Sequence, residues 1–123
     1  MSYSLEISDD GSYIIMNVTG SLTSKSAMLQ NLAAHKLGRE KGIIKFLVNA
    51  VEAVNIESPF DSYSFANKDM KSDDGLLPNA IVAILVAKED HSHDFFETAA
   101  INAGFDIKIF RDRQAAEKYL KER

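Results

Sequence analysis

Ser58 either starts a helix or is a chemical switch. It stands in NIESPFDS, Asn55 to Ser62, after the acid Glu57 and before Pro59, Phe60 and Asp61. Its hydroxyl has two readings. As a helix N-cap it accepts a free backbone N–H, with Pro59 at the first helical position, where a missing N–H costs nothing. Asp61 then falls in the first turn, where its charge suits the helix dipole. The other reading is that the hydroxyl is a chemical switch.

A second group of chemically able residues is HSHDFFE, with His91, His93, Asp94 and Glu97. His93 and Glu97 are four apart and share a helix face. Such donors suit zinc, but a structural zinc site wants four ligands and no further donors are signalled. The expectation is a polar helix start, capped by Ser92 or Asp94, with Glu97 facing solvent and no metal. Ser58, His93 and Asp94 include the residue types of a hydrolytic triad. Their spacing does not support one, and no Gly-x-Ser-x-Gly turn is present. No glycine-rich phosphate loop follows a strand. The expectation is a protein that is not an enzyme and carries no cofactor.

The elements that position these residues follow from apolar periodicity. Tyr3 to Ile7 and YIIMNVT (Tyr13 to Thr19) read as strands of an antiparallel hairpin joined by SDDG, with Gly20 breaking the pattern. Thr23 or Ser24 caps a helix whose buried stripe is Leu29, Leu32 and Ala33, edged by Met28 and Leu37. Lys36 falls within that stripe and extends its ammonium to water, and Gly38 or Gly42 ends the helix. IIKFLVNA (Ile43 to Ala50), AIVAILVA (Ala80 to Ala87) and DIKIF (Asp106 to Phe110) are strands. The nearly continuous apolar runs suit a sheet covered on both faces. Ser92 to Ala103 is a helix burying Phe95, Phe96, Ala99, Ala100 and Ala103, stopped by Gly104. Arg113 to Lys121 is another, capped by Asp112 and burying Ala115, Ala116, Tyr119 and Leu120. The order β-β-α-β-α-β-α-β-α predicts an α/β fold with a mostly parallel sheet of about five strands and about four helices.

Composition bounds the rest. A chain of 123 residues, 46% hydrophobic and 26% charged, is expected to be one soluble domain spanning residues 1–123. It has no cysteine, which excludes disulfides and thiolate chemistry. The formal charge of −4 disfavours nucleic-acid binding. Lys36, Arg39, Lys41 and Lys45 form the nearest approach to a basic patch, and Glu40 interrupts it. No apolar run reaches membrane-spanning length and the N-terminus does not read as a signal peptide, so a cytoplasmic location without membrane insertion is expected.

In element order nearly the whole chain resembles the STAS family, the anti-sigma-factor antagonist-like (SpoIIAA-like) domains. Their pattern is an acid closing a strand, then isoleucine, aspartate and serine before a helix. Asn49 stands at the position of the first acid, and Ile56, Glu57 and Ser58 at the triplet. AILVAKEDHSHDFFETAAINAGFDIKIFRDRQAAEKYL (Ala83 to Leu120) is similar to the uncharacterised bacterial branch of that family. The resemblance implies a single STAS-like domain engaged in regulatory protein–protein interaction, with a regulator, a kinase or a second copy of itself as partner. It also implies that Ser58 is the position a partner kinase would phosphorylate; the phosphate would add about −1.5 to −2 charge, which a helix start tolerates and which disrupts docking of an apolar or acidic partner surface. Pro59 and Phe60 replace the small residues that the family has after the serine.

The segment from Phe60 to Leu77 supports an alternative. If it is helical, Phe60, Tyr63, Ala66 and Met70 share one stripe and Phe65 points away from it. Phe65 is then a lone exposed aromatic, part of a dimer or partner interface, or part of a pocket with Leu76 and Leu77. Tyr63, Ser64 and Asn67 are the polar candidates for such a pocket. The STAS plan is similar to that of lipid-carrying CRAL-TRIO domains, which implies a small apolar, lipid-like ligand held under the segment from Pro59 to Leu77, with Phe60, Tyr63, Phe65, Asn67, Leu76 and Leu77 lining it.

Overall fold

The computed structural model describes residues 2–56 and 75–123. Its first hairpin pairs β1 (Ser2–Ile7) antiparallel with β2 (Ile14–Leu22). The connecting turn is held by side chains. Ser8 Oγ donates to Asp10 Oδ1 and accepts from the N–H groups of Ser12 and Tyr13, while Gly11 takes the left-handed φ of 74° that the reversal needs. The Ser12 hydroxyl and N–H, with the Ser8 hydroxyl, hold the Asp10 carboxyl down at about 2.

From β2 onward the sheet is parallel. Helix α1 (Ser24–Lys41) leads to β3 (Lys45–Asn55), which pairs with β2. Strand β4 (Ile81–Val86) pairs with β3, helix α2 (Asp94–Asn102) follows, β5 (Asp106–Phe110) pairs with β4, and α3 (Arg113–Lys121) comes last. The strand order is β1-β2-β3-β4-β5, the mixed α/β architecture expected. Three helices lie among the described residues. The helix expected after Ser58 falls in 57–74, outside them.

Alternation along the strands sorts the core into two layers. Ile14, Met16, Val18, Phe46 and Ala50 face one side, where α1 packs on them through Ala34. Val82 and Ile84 continue that face to α2, meeting Phe96 and Ala100. Tyr13, Ile15, Leu47, Ala83 and Leu85 face the other side and pack on Ala116 and Leu120 of α3. Between Asn17 and Thr19 of β2 the register against β3 shifts, so that Asn17 faces Asn49 while Thr19 faces Glu52. β3 thus carries one extra residue there, a bulge, beside which Asn49 Nδ2 donates to Asn17 Oδ1 at 2.9 Å.

The helix ends follow the sequence closely. Thr23 caps α1 in a reciprocal box with Ser26, Gly42 ends it at φ 69°, and Asp112 caps α3 by accepting from Gln114 N–H. Several expectations need correcting. β2 runs through Gly20, which sits in the strand at φ 96°. Neither Ser92 nor Asp94 caps α2, whose N-cap is His93 without a side-chain bond. Phe95 is exposed, as is Ala115, because each lies one residue off the stripe its short helix buries.

The largest correction concerns α1. Leu29, expected in its buried stripe, is 70% exposed, and Lys36 is exposed too. The residues turned to the sheet are Gln30, Ala34, His35 and Gly38. The physical reason is that α1 serves two neighbours: Met28 and Leu32 pack beside α2, and the small and polar stripe faces the strands. Gly38 does not end the helix. A Cβ there would lie 2.6 Å from the Ile43 carbonyl oxygen and 2.9 Å from Cζ of Phe46, so only glycine lets the helix sit this close.

Two side chains of α1 tether the start of the second described stretch. Leu77 N–H donates to His35 Nδ1 at 2.8 Å, and Arg39 Nη2 donates to the Gly75 carbonyl at 2.8 Å. The His35 ring stacks on Phe46 with centroids 4.5 Å apart. Burial, helped by the Arg39 charge, pushes the imidazole from 6.5 down to about 4, so it is neutral at neutral pH.

Gly38→Ala is expected to destabilise the fold by about 1–3 kcal/mol in urea unfolding despite alanine's better helix propensity, since a backbone oxygen cannot move aside. Gly42→Ala, with nothing within 4 Å of its Cβ, is expected to lose only about 1 kcal/mol, from its left-handed φ. Equal losses would contradict the close-approach reading. For His35 the unfolded chain binds the proton more tightly than the folded one. Its stabilising contribution is therefore full above about pH 6.5 and declines as pH falls toward about 4. The urea midpoint should fall between pH 6.5 and 5 and be flatter there in His35→Phe; parallel profiles would contradict the assignment.

Candidate functional site

The stripe that α1 turns to the sheet does not fill the space beneath it. Ala27 and Ala34 end at Cβ, and a cavity of about 120 Å³ remains beside them. Met16, Val18, Phe46, Val48, Val82 and Ile84 line it from the sheet. Leu76 and Leu77 line it from the segment tethered by His35, and Phe96 and Phe105 from α2 and the turn after it. The surface is chiefly apolar, with a few polar groups, which is the usual character of a small-molecule site.

Gln30 is the unusual member of that wall. It is 2% exposed, and neither Nε2 nor Oε1 of its carboxamide has a hydrogen-bond partner. A buried amide without partners costs about 1–3 kcal/mol. The other polar side chains named here are engaged: His35 Nδ1 with Leu77 N–H, and His93 Nε2 with the Ala53 carbonyl at 3.2 Å.

Of the residues singled out in the sequence, Leu76 and Leu77 come to the cavity. Leu76 is buried and Leu77 half-buried. Glu57, Ser58, Phe60, Asp61, Tyr63, Phe65 and Asn67 lie outside the described residues. The approach to them is described. β3 pairs with β4 only as far as Ala50, so Val51–Asn55 pairs with β2 alone. On this extension Val51 and Val54 are exposed, and Ile56 just past it is 63% exposed. Ile56 N–H donates to the Leu22 carbonyl, and Asn55 N–H to Ser92 Oγ, which ties the end of β3 to the loop before α2.

The group His91, His93, Asp94 and Glu97 is drawn into structural bonds. His91 Nδ1 and Arg111 Nη2 both meet the Asp94 carboxylate, at 2.8 and 3.2 Å, and the His91 bond leads in holding that carboxyl below its usual range. His93 is buried at the start of α2. Glu97, expected to face solvent, accepts the Ile109 N–H instead and fastens α2 to β5. His93 and Asp94 thus face different partners, and no cluster of metal-ligating side chains forms among the described residues.

Gln30 and His35 were missed by the sequence reading, which chose the leucine face of α1. The available signal was Gly38: a glycine inside a helix costs about 1 kcal/mol, and small residues at Ala27, Ala34 and Gly38 mark the face of close approach.

No family model matches the chain, and no curated protein matches it. Among solved structures it is similar to an uncharacterised protein of the DUF3478 family with a SpoIIAA-like fold from Shewanella loihica. The identity is 21%, the likeness covers 97% of this chain and 92% of that one, and the TM-score is 0.51. With its antiparallel hairpin leading into a parallel α/β sheet, the chain has a SpoIIAA-like fold.

Proposed function

We propose that the protein is a non-enzymatic regulatory domain that works in the cytoplasm by binding another protein. The residues assigned to binding, Glu57, Ser58, Phe60, Asp61 and Phe65, follow β3 in the sequence. The observation that supports this reading is the apolar exposure leading into that stretch: Val54 is 50% and Ile56 63% exposed on the part of β3 that outruns β4. Carboxyl ends of parallel strands are the usual place for sites in such sheets. The partner is a regulator, a kinase or a second copy of the chain, and phosphate on Ser58 turns the interaction off by adding charge to an apolar surface.

A second reading rests on the cavity: the domain carries or senses a small apolar ligand beneath α1. Leu76 and Leu77 contribute to it from the described end of the segment that the sequence reading placed over such a ligand.

On the first reading, light scattering across a concentration series, or co-purification from the native host, should reveal self-association or a bound protein. Ile56→Asp and Phe65→Asp should each weaken that association about tenfold or more, as charges placed in an apolar interface do. Association unaffected by both would move the interface elsewhere. The second reading predicts a bound small molecule in native mass spectrometry of the gently purified protein; bare protein alone would count against it.

A further inference from the structure

Among the described residues of the cavity wall, Gln30 is a buried hydrogen-bonding group with nothing to bond. Gln30 carries an N–H donor and a carbonyl acceptor side by side, 98% withdrawn from solvent and without a partner among the described residues; both atoms are packed over in the wall, so they meet a ligand when the side chain turns into the space. Its complement is another donor and acceptor side by side, as in an amide, because two such groups close a ring of two hydrogen bonds. Charge narrows the choice. The described lining includes no lysine or arginine, and the carboxylate of Asp106 is taken up by Tyr119 and Arg123, so an anionic head group would enter without a counter-charge. Size narrows it further. The space of about 120 Å³ is a little smaller than an apolar cavity of about 150 Å³ that accepts benzene.

We propose that this cavity binds a small uncharged carboxamide, about one ring in size, whose amide pairs with the Gln30 carboxamide. Its apolar part lies against Val18, Phe46 and Val82. This rests on the second reading above and supplies the chemical class of the ligand. The stability lost by burying Gln30 unpaired is recovered when the ligand supplies both missing bonds, so recognition and affinity come from the same side chain.

Calorimetric titration with three probes tests this: benzamide, ethylbenzene as an apolar molecule of similar size, and benzoate as the anion. Benzamide should bind the wild-type protein at least about tenfold more tightly than either of the others at pH 7, the discrimination expected when paired hydrogen bonds form in a dry site. Gln30→Met should reduce benzamide affinity by a similar factor, leave ethylbenzene binding intact and raise the thermal midpoint. The three-probe comparison on the wild-type protein stands without the variant. Benzamide binding no tighter than ethylbenzene, or unchanged in Gln30→Met, would overturn the amide proposal and leave the apolar-ligand reading in place. Failure of all three probes to bind, with only water at Gln30 in a crystal structure of the same protein, would overturn both.

Discussion

The seat of α1 on the sheet is the constraint on which the rest depends. At Gly38 the helix comes so near the Ile43 carbonyl and the Phe46 ring that no side chain fits between them. That contact sets the rotation of the helix. Once Gly38 faces β3, helical geometry turns Gln30, Ala34 and His35 to the same side. Leu29, on the far side, is left in solvent. An apolar helix face would have filled the space above Val18 and Val82. The small and polar face leaves a cavity and buries an amide in its wall.

The same contact fixes the chain that enters β4 at the amino end of the parallel strands. His35 stacks on Phe46 and receives the Leu77 N–H, so the segment returning toward β4 is pinned to α1 next to the cavity. At the opposite end of β3, Asn55 binds Ser92 and Ile56 binds Leu22, which hold the strand where it leaves the sheet. The chain between these two anchors carries Ser58 and Phe65. The described residues on either side of it, Asn55 and Ile56 before and Gly75 and Leu77 after, are each held by hydrogen bonds.

The sheet was legible because its strands are runs of β-branched and aliphatic residues bounded by turn residues, and period-two alternation decides which side each faces. Caps were legible where one side chain decides them, as at Thr23, Asp112 and Gly42. The orientation of α1 was not, because its leucines spread around the helix and two different neighbours claim different faces. Apolar periodicity then points to a face, Leu29 included, that tertiary packing does not use. Glu97 was misread for a related reason: a carboxylate four residues from a histidine on a helix predicts a shared face, but its partner is the Ile109 N–H, given only by the approach of β5. The bulge opposite Asn17 leaves no mark in local composition.

The central claim is that α1 docks by its small-residue face and leaves an open space walled by an unpaired Gln30. A crystal structure at atomic resolution tests it most directly. The account predicts Leu29 in solvent, Gly38 against the Ile43 carbonyl, and either a small molecule or unfilled volume in the cavity that Gln30 helps to wall. A side chain of the protein filling that volume and hydrogen-bonded to Gln30 would contradict it.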